Sequence, residues 1–490
     1  MTVQELLDGA GVTGASPPET LHLAVRGVAY HSGQAAPGIL FFAFGGSRVD
    51  GGRFANDAIA RGAVAVVYDA PPAARPDHPY VVVAHGRRAL AAAAKRFYNA
   101  PDEAIDIIAF TGTNGKSTGS MLADGIFQHA GYKTSLINTI GYHVCGVPRE
   151  AVNTTPESLD VFRMAAETRD GGGRFLSMEI SSHALALGRV ESLRIAAAVF
   201  TNLTRDHLDF HLTMEAYGAA KARLFGTDFS PRFAILNADD PFSASIGVAP
   251  ASRRVTYGIQ AGADLRAVHI ELGFFGLRFE IEGHGRMTST LVGDINVYNI
   301  LAAAAACHAA GLTWEQIAAG VAAFPGVPGR FERVEAGQDF LVVVDYAHTD
   351  AAITNVIRVA RQLLNGEGRV LTLFGCGGDR DRSKRPLMGM AAAKDSDFVV
   401  LTSDNPRSED PLAIINDAVV GARRFDTPLL VEADREKAIF AIIGEARRGD
   451  IVLLAGKGHE NYQVIGENKV NFSDREVALR AIGVRGGKCD

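Results

Sequence analysis

The chain has 490 residues and a formal net charge of −6, with 47% hydrophobic and 21% charged residues, a balance that fits a globular protein and excludes extended disorder as its main state. The acidic balance argues against nucleic acid or an anionic membrane surface as partner. The length leaves room for about three domains, each with its own core. Cys145, Cys307, Cys376 and Cys489 stand far apart without a CxxC pair, so neither a zinc site nor a disulfide framework is expected, and a reducing compartment is. Residues 1–14 lack a basic patch followed by an apolar core. No stretch has the roughly 18 uninterrupted apolar residues of a membrane span, and the Ala-rich segment 300–310 is too short. A soluble cytoplasmic protein without membrane insertion is expected.

Residues 1–102 contain strand-like runs at 39–44 and 63–68, with turns at Pro37 and Gly38 and at Asp50, Gly51 and Gly52. Helical spacing at 54–60 and 86–98 completes a small α/β domain that ends near Pro101.

The apolar run 104–110 reads as a buried strand, the sequence TGTNGKST follows at 111–118, and a helix-forming run continues from Ser120 through His129. Strand, glycine loop and helix in that order turn backbone N–H groups and the positive end of a helix dipole toward a polyphosphate. Gly112, Thr113, Asn114, Gly115 and Thr118 would line the loop, Lys116 would reach the terminal phosphates, and Ser117 offers a hydroxyl to the magnesium that accompanies ATP. The strict form of the motif has a glycine where Phe110 stands, so this is a variant spelling.

From 105 to 328 apolar runs alternate with helical stretches, which predicts a largely parallel sheet covered on both faces. The run 175–180 leads into Ser181, Ser182 and His183, the run 196–200 into Thr201 and Asn202, and the run 233–236 into Asn237, Ala238, Asp239 and Asp240. The carboxyl ends of parallel strands are where ligands bind, so these clusters are site candidates by position. Residues 325–330 read as a linker. Beyond it the runs 340–344, 370–374, 398–401 and 451–454 lead into Asp345, Gly375, Thr402 and Ala455, a third domain of Rossmann-like type. Its glycines make no GxGxxG fingerprint, so no dinucleotide is inferred. The expected division is 1–102, 103–330 and 331–490.

Glu179 and His207 suit a magnesium that bridges ATP to an acyl acceptor. Lys221, inside a predicted helix over 217–225, reads by itself as a solvated surface charge. Residues 205–211 pack two acids, two histidines and an arginine into seven places. Asn153, Thr154, Thr155, Pro156 and Glu157 fit a helix start, with threonine capping and proline in the first turn, as well as they fit a binding loop. Asp404, Asn405, Pro406 and Arg407 follow a strand, and the arginine could grip a carboxylate through two parallel hydrogen bonds. With Lys384, Arg385, Gly456, Lys457 and Glu460 they would complement a zwitterion, Glu460 taking an ammonium and Arg385 or Arg407 a carboxylate.

Ten segments together resemble the Mur ligase family: TGTNGKST at 111–118, NTTPES at 153–158, MEISSHAL at 178–185, FTNLTRDHLDFH at 200–211, YNILAA at 298–303, GRFERV at 329–334, DYAHT at 345–349, GCGGDRDRSKRPLMG at 375–389, DNPR at 404–407 and AGKGHE at 455–460. The resemblance implies an N-terminal domain for the UDP end of the substrate, a central P-loop ATPase and a C-terminal domain for the amino acid. It implies that the carboxylate of UDP-MurNAc-L-Ala-D-Glu takes the γ-phosphate of ATP, and that an incoming amine then displaces phosphate. It makes Lys221 a carbamylated lysine that holds magnesium with Ser117, Glu179 and His207, reversing the surface reading. Asn299, Arg330 and Asp345 match ATP contacts; Ser32, Asn153, Thr154, Thr155, Ser181 and Arg189 match contacts to the UDP-linked substrate. Arg385, Asp404, Asn405, Pro406, Arg407, Gly456 and Glu460 match an amino-acid pocket whose DNPR spelling goes with meso-diaminopimelate. The chain departs from the family's usual residues at His31, Ser32 and Gly33, at Leu187, and at Asp350 and Ala351.

A ligase that adds L-lysine, or one like folylpolyglutamate synthetase, is the nearest alternative, and NTTPES, DNPR and the full third domain weigh against both. A P-loop kinase or NTPase, or a nucleotide-binding regulator without turnover, would have no use for DNPR or GKGHE. A monomer is expected.

Overall fold

Four consecutive apolar residues, Ile107, Ile108, Ala109 and Phe110, form most of the strand Asp106–Thr111, and all four are fully buried. An apolar run without alternation marks a strand covered on both faces. The computed structural model describes residues 1–45, 50–273, 276–364 and 366–486. They divide into two units: Met1–Val268 with Ile281–Gly285 and Tyr298–Ala323, and His269–Glu280 with Arg286–Val297 and Phe324–Asp490.

In the first unit, a five-stranded sheet has the order Val12–Ser16, Tyr80–Val83, Ala65–Tyr68, Ile39–Ala43, Gly27–Ala29, and only its first strand is antiparallel to its neighbour. The helix Gly86–Phe97 turns Ala89, Leu90, Ala93 and Ala94 inward. In the larger sheet, Asp106–Thr111 lies between Ala197–Phe200 and Phe175–Glu179, both parallel to it. Phe233–Asn237 and Arg253–Gly258 continue the parallel sheet on one side and Thr134–Ile137 on the other. One apolar cluster takes in Leu40 and Val67 of the small sheet together with Ile107 and Leu176 of the large one. A second, smaller cluster around Phe41, Ala58 and Val66 belongs to the small sheet alone. The larger cluster is shared, and the inward face of Gly86–Phe97 lies in it because this helix packs on Ser158–Asp170.

In the second unit the sheet order is Glu332–Val334, Leu341–Asp345, Ile451–Ala455, Val370–Cys376, Phe398–Ser403, Leu429–Val431, parallel except at its first strand. One face is covered by apolar side chains such as Ile353, Met388 and Ile414, the other by Ile439, Ile442 and Val477. That double cover is the expected Rossmann-like arrangement. Among the described residues no helix is long and apolar enough to cross a membrane.

Several boundaries differ from the sequence reading. The loop helix is Lys116–His129 and starts four residues before Ser120, because Gly115 takes a left-handed φ of 86° and Lys116, Ser117 and Thr118 form the first turn, whose N–H groups need no partner within the helix. The Lys221 helix is Met214–Ala222, capped by the Thr213 side chain, and a 3-10 turn Arg223–Phe225 follows. The threonine cap at 153–157 does not form. The helix starts at Ser158, Glu157 occupies the capping position without a side-chain bond, and Thr155 is used elsewhere.

Candidate active site

Two glycines shape the phosphate loop. Gly112 has φ of 151° and a Cβ there would collide with Thr201 Oγ1; at Gly115 a Cβ would lie 2.5 Å from Asn299 Oδ1. Side chains from the next strand end hold the loop from outside. Thr201 Oγ1 donates to Asn114 O at 2.6 Å, Asn114 N donates to Asn202 Oδ1 at 2.9 Å, and Thr113 N donates to Asn202 O at 2.8 Å. Asn237 fixes this support by donating to Thr201 O at 2.8 Å. Ser117 and Thr118 are buried in the first turn of the helix.

Two lysines converge on one carbonyl. Lys116 Nζ donates to Gly112 O at 3.0 Å and to Thr113 O at 2.8 Å; Lys221 Nζ donates to Gly112 O at 2.7 Å. Lys221 is 1% exposed and its ammonium lies 4.5 Å from the centre of the Tyr217 ring. Burial, and after it the charge of Lys116, pushes its pKa well below the ordinary lysine value. Burial biases this amine toward its neutral, nucleophilic form, unlike the solvated surface charge that its sequence context implies.

Glu179 ends its strand 1% exposed and accepts from Thr139 N at 3.0 Å and Thr139 Oγ1 at 3.2 Å. Thr139 Oγ1 meets Thr154 Oγ1 at 3.0 Å. Thr155 Oγ1 donates to Glu179 O at 2.9 Å and accepts from Ser181 N at 3.0 Å. Arg189 Nε donates to Glu157 at 3.1 Å and its Nη1 to Thr155 O at 3.3 Å, and Tyr142 OH donates to Asn153 O. The NTTPE segment is therefore tied to the carboxyl end of the Glu179 strand.

His207 has a left-handed φ of 53°, and its Nε2 is 3.5 Å from Asp206 Oδ2. Burial lowers its pKa, Asp206 opposes that, and Lys116 and Lys221 reinforce it, so the imidazole is biased toward its neutral, ligating form. His183 packs against it with ring centres 4.8 Å apart, and His211 packs in turn on His183 at 5.4 Å. His183 belongs to the strand-end cluster expected from the sequence, whereas Thr139 and Tyr217 were not singled out there. Tyr217 had a signal, since it stands one helical turn before Lys221. Ser32 begins a short 3-10 turn, Ser32–Gln34, and its hydroxyl bonds the Asp57 carboxylate.

The hydroxyl and the carboxylate are oxygen donors that suit magnesium and a neutral imidazole can join them, whereas the Lys221 amine is no magnesium ligand and would contribute only through the oxygens of a carbamate. Among the described residues no three His, Cys, Asp or Glu side chains gather closely enough to hold a metal by themselves, so Ser117, Lys221 and phosphate oxygens would have to complete the set.

The second unit carries the remaining candidates. Asp345 accepts from Phe331 N at 2.7 Å and Ala347 N at 2.8 Å, and burial raises its pKa. The Arg330 guanidinium lies 4.7 Å from the centre of the Tyr346 ring. Arg385, 1% exposed, is held by Glu409 at 2.7 Å, Asp417 at 3.0 Å and Gly377 O at 3.2 Å, and its hydrogen bonds pull the Glu409 carboxyl down to about 2. Arg407, with a left-handed φ of 52°, donates through Nη1 to Gly378 O at 2.8 Å. Glu460 accepts from Asn405 Nδ2 at 2.9 Å, and Gly456 has φ of 113°. The ends of three parallel strands thus bring Arg385, Asn405, Arg407 and Glu460 to one edge of the sheet.

Comparison with known proteins agrees with this arrangement. Residues 24–98 match the Mur ligase family, catalytic domain; residues 110–307 match the Mur ligase middle domain; residues 329–458 match the Mur ligase, glutamate ligase domain. The UDP-N-acetylmuramoyl-L-alanyl-D-glutamate--2,6-diaminopimelate ligase of Solibacter usitatus is 54% identical over 491 residues, covering 98% of each chain. The enzyme of the same name from Geobacillus thermodenitrificans is 46% identical over 93% of this chain and 94% of its own. A solved structure bearing that name superposes with a TM-score of 0.71 at 33% identity, covering 99% of both chains. With relatives this similar along nearly its whole length, the chain belongs to the Mur ligase family.

Proposed function

We propose that this chain is an ATP-dependent, ADP-forming ligase that joins diaminopimelate to UDP-MurNAc-L-Ala-D-Glu in peptidoglycan precursor synthesis. The observation that carries the reading is the buried Lys221 amine, 2.7 Å from the Gly112 carbonyl of the phosphate loop. A phosphate loop alone serves kinases and ATPases equally well. A buried amine beside it, kept neutral by burial and by Lys116, is primed to add carbon dioxide and become a carbamate, an anion that attracts Lys116 instead of repelling it.

Transfer of a phosphoryl group to a carboxylate brings two anions together, so the reaction needs fixed positive charge around the γ-phosphate. Lys116 and the first-turn N–H groups of Lys116, Ser117 and Thr118 supply it, and Asn299, Arg330 and Asp345 are assigned to ATP. Magnesium, held by Ser117, Glu179, His207 and carbamylated Lys221, supplies further charge neutralisation when bound. Ser32, Asn153, Thr154, Thr155, Ser181 and Arg189 are assigned to the UDP-linked substrate. Arg385, Asp404, Asn405, Pro406, Arg407, Gly456 and Glu460 are assigned to meso-diaminopimelate, whose second carboxylate matches the Arg407 guanidinium. The division of labour follows residues 1–102, 103–330 and 331–490, for the UDP end, ATP and the amino acid in turn. The reading also makes the protein a cytoplasmic monomer, which gel filtration tests.

The decisive experiment measures ATP-dependent phosphate release with UDP-MurNAc-L-Ala-D-Glu and either meso-diaminopimelate or L-lysine, with mass detection of the amide. Amide formed with the diacid is the expected result. Phosphate released without amide would replace the ligase by a kinase or NTPase.

A further inference from the structure

Lys457 is fully buried, and its Nζ lies 3.2 Å from each of three oxygens: Asp404 Oδ1, Asn405 Oδ1 and Glu460 Oε2. Three N–H donors meet three acceptors, so the ammonium is fully engaged. The acceptors come from two loops, one after the strand Phe398–Ser403 and one after Ile451–Ala455. Asn405 adds a direct bond to Glu460 Oε2 at 2.9 Å, and its Oδ1 also accepts from Val464 N at 2.9 Å, which fixes the orientation of the amide. Gln463 Nε2 donates to Asp404 O at 2.9 Å and holds the same turn.

Burying an ammonium is costly unless it is paired, and here two carboxylates pair with one cation. The neighbouring cation, Arg435, is bound by Asp474 at 2.7 Å through Nε and at 2.6 Å through Nη2, with both side chains fully buried. Lys457 therefore faces Asp404 and Glu460 together, and one negative charge on these two acids is left over.

We propose that Lys457 is the positioning residue of the amino-acid pocket: it ties Asp404 and Asn405 to Glu460 and presents the surplus negative charge to an ammonium group of the incoming diamino acid. The inference rests on the reading that this edge of the sheet takes diaminopimelate. Lys457 itself does not touch the substrate; it acts through Glu460 and Asn405.

Lys457→Met keeps the length of the side chain and removes the charge, whereas Lys457→Arg keeps the charge. In steady-state ligation, Lys457→Met should raise KM for diaminopimelate by about 10- to 100-fold, the loss expected for a charge-assisted hydrogen bond. KM for ATP and for the UDP-linked substrate should stay within about 2-fold and kcat within about 3-fold, with part of the loss recovered by Lys457→Arg. Equal rises in all three KM values, or an unchanged KM for diaminopimelate, would overturn the proposal. Circular dichroism checks folding first; should Lys457→Met fail to fold, Lys457→Gln, which keeps a donor without the charge, gives the same comparison. Loss of fold in all three variants would assign Lys457 to stability alone and overturn it as well. A parent enzyme that forms no amide from diaminopimelate would remove the functional reading and this inference with it, whereas a working parent with an unshifted variant removes the inference only.

Discussion

Replacing Lys221 by methionine separates the charge of this residue from its bulk. The amine is 1% exposed, and burial and Lys116 drive its pKa well below the ordinary lysine value. In buffer stripped of carbon dioxide and at a pH between the folded and the unfolded pKa, the unfolded chain holds this proton more strongly than the folded chain, so folding releases it. A base whose folded pKa is depressed gains stability as pH rises, from the folded pKa up to the unfolded one, by about 1.4 kcal/mol per pH unit. Methionine lacks that slope. Relative to the parent, Lys221→Met should therefore be best placed at the acid end of the range, with an advantage that shrinks by about 1.4 kcal/mol per unit as pH rises from the folded pKa toward the unfolded one. Urea unfolding at a series of pH values, with and without bicarbonate, measures this directly. Bicarbonate should stabilise the parent and leave the variant unchanged, and kcat of the variant should fall by about 10³-fold, as when one preorganised charge is lost from a transition state. A variant much less stable than the parent at pH 7, or a difference that does not move with pH, would show that the lysine is charged and well compensated, and would remove the basis for carbamylation.

Other outcomes are equally specific. Diaminopimelate should be used in preference to L-lysine by at least about 10³-fold in kcat/KM, because a lysine side chain leaves the Arg407 guanidinium without a carboxylate; comparable turnover in a competition assay read by mass would refute the use of Arg407. Gly115→Ala should weaken ATP binding by about 10-fold or more, since φ of 86° costs a residue with a Cβ about 1–2 kcal/mol and that Cβ would meet Asn299 Oδ1 at 2.5 Å. Isothermal titration with ATP checks it, and an unchanged affinity would mean the loop relaxes freely. Asp124 is buried in the loop helix, where burial raises its pKa from the ordinary carboxylate range to about 6. Its folded state holds the proton more tightly, so stability should fall by up to about 3 kcal/mol as pH rises from 4 through 6. Asp124→Asn should flatten that dependence and unfold later at pH 7, and a steep profile retained in the variant would place its origin elsewhere.

Most parallel strands were legible as apolar runs, whereas Thr134–Ile137 and Arg253–Gly258, which begin with polar residues, were not; the strand-end clusters were legible because a polar residue directly after such a run has to face a ligand or a neighbouring loop. The surroundings of Lys221 were not legible from its own segment. Its carbonyl partner is 109 residues away, and nothing in the helix Met214–Ala222 says that this turn points inward. Thr154 and Thr155 read equally well as caps, and only the closeness of Thr139, Glu179 and Ser181 shows their hydroxyls bridging a strand end instead. Arg385 was legible as a cation, but its partners Glu409 and Asp417 lie 24 and 32 residues further on, and no local pattern joins them. That Gly86–Phe97 joins a cluster shared with the larger sheet was not legible for a related reason. Periodicity shows that a helix face is apolar without showing which sheet will cover it.

The apolar cluster that runs from Leu40 and Val67 into Ile107 and Leu176 bears on how the chain loses its structure. Three family segments can be distinguished along the sequence, but the first two share this larger cluster, and only the smaller one around Phe41 and Val66 belongs to the first alone. Denaturation followed by tryptophan-independent probes such as far-ultraviolet dichroism should resolve at most two cooperative steps, and a fragment ending near Pro101 should expose Leu40, Val67 and the inner face of Gly86–Phe97 to water and aggregate. Modules that are exchangeable as segments of sequence are, in this protein, inseparable as folding units.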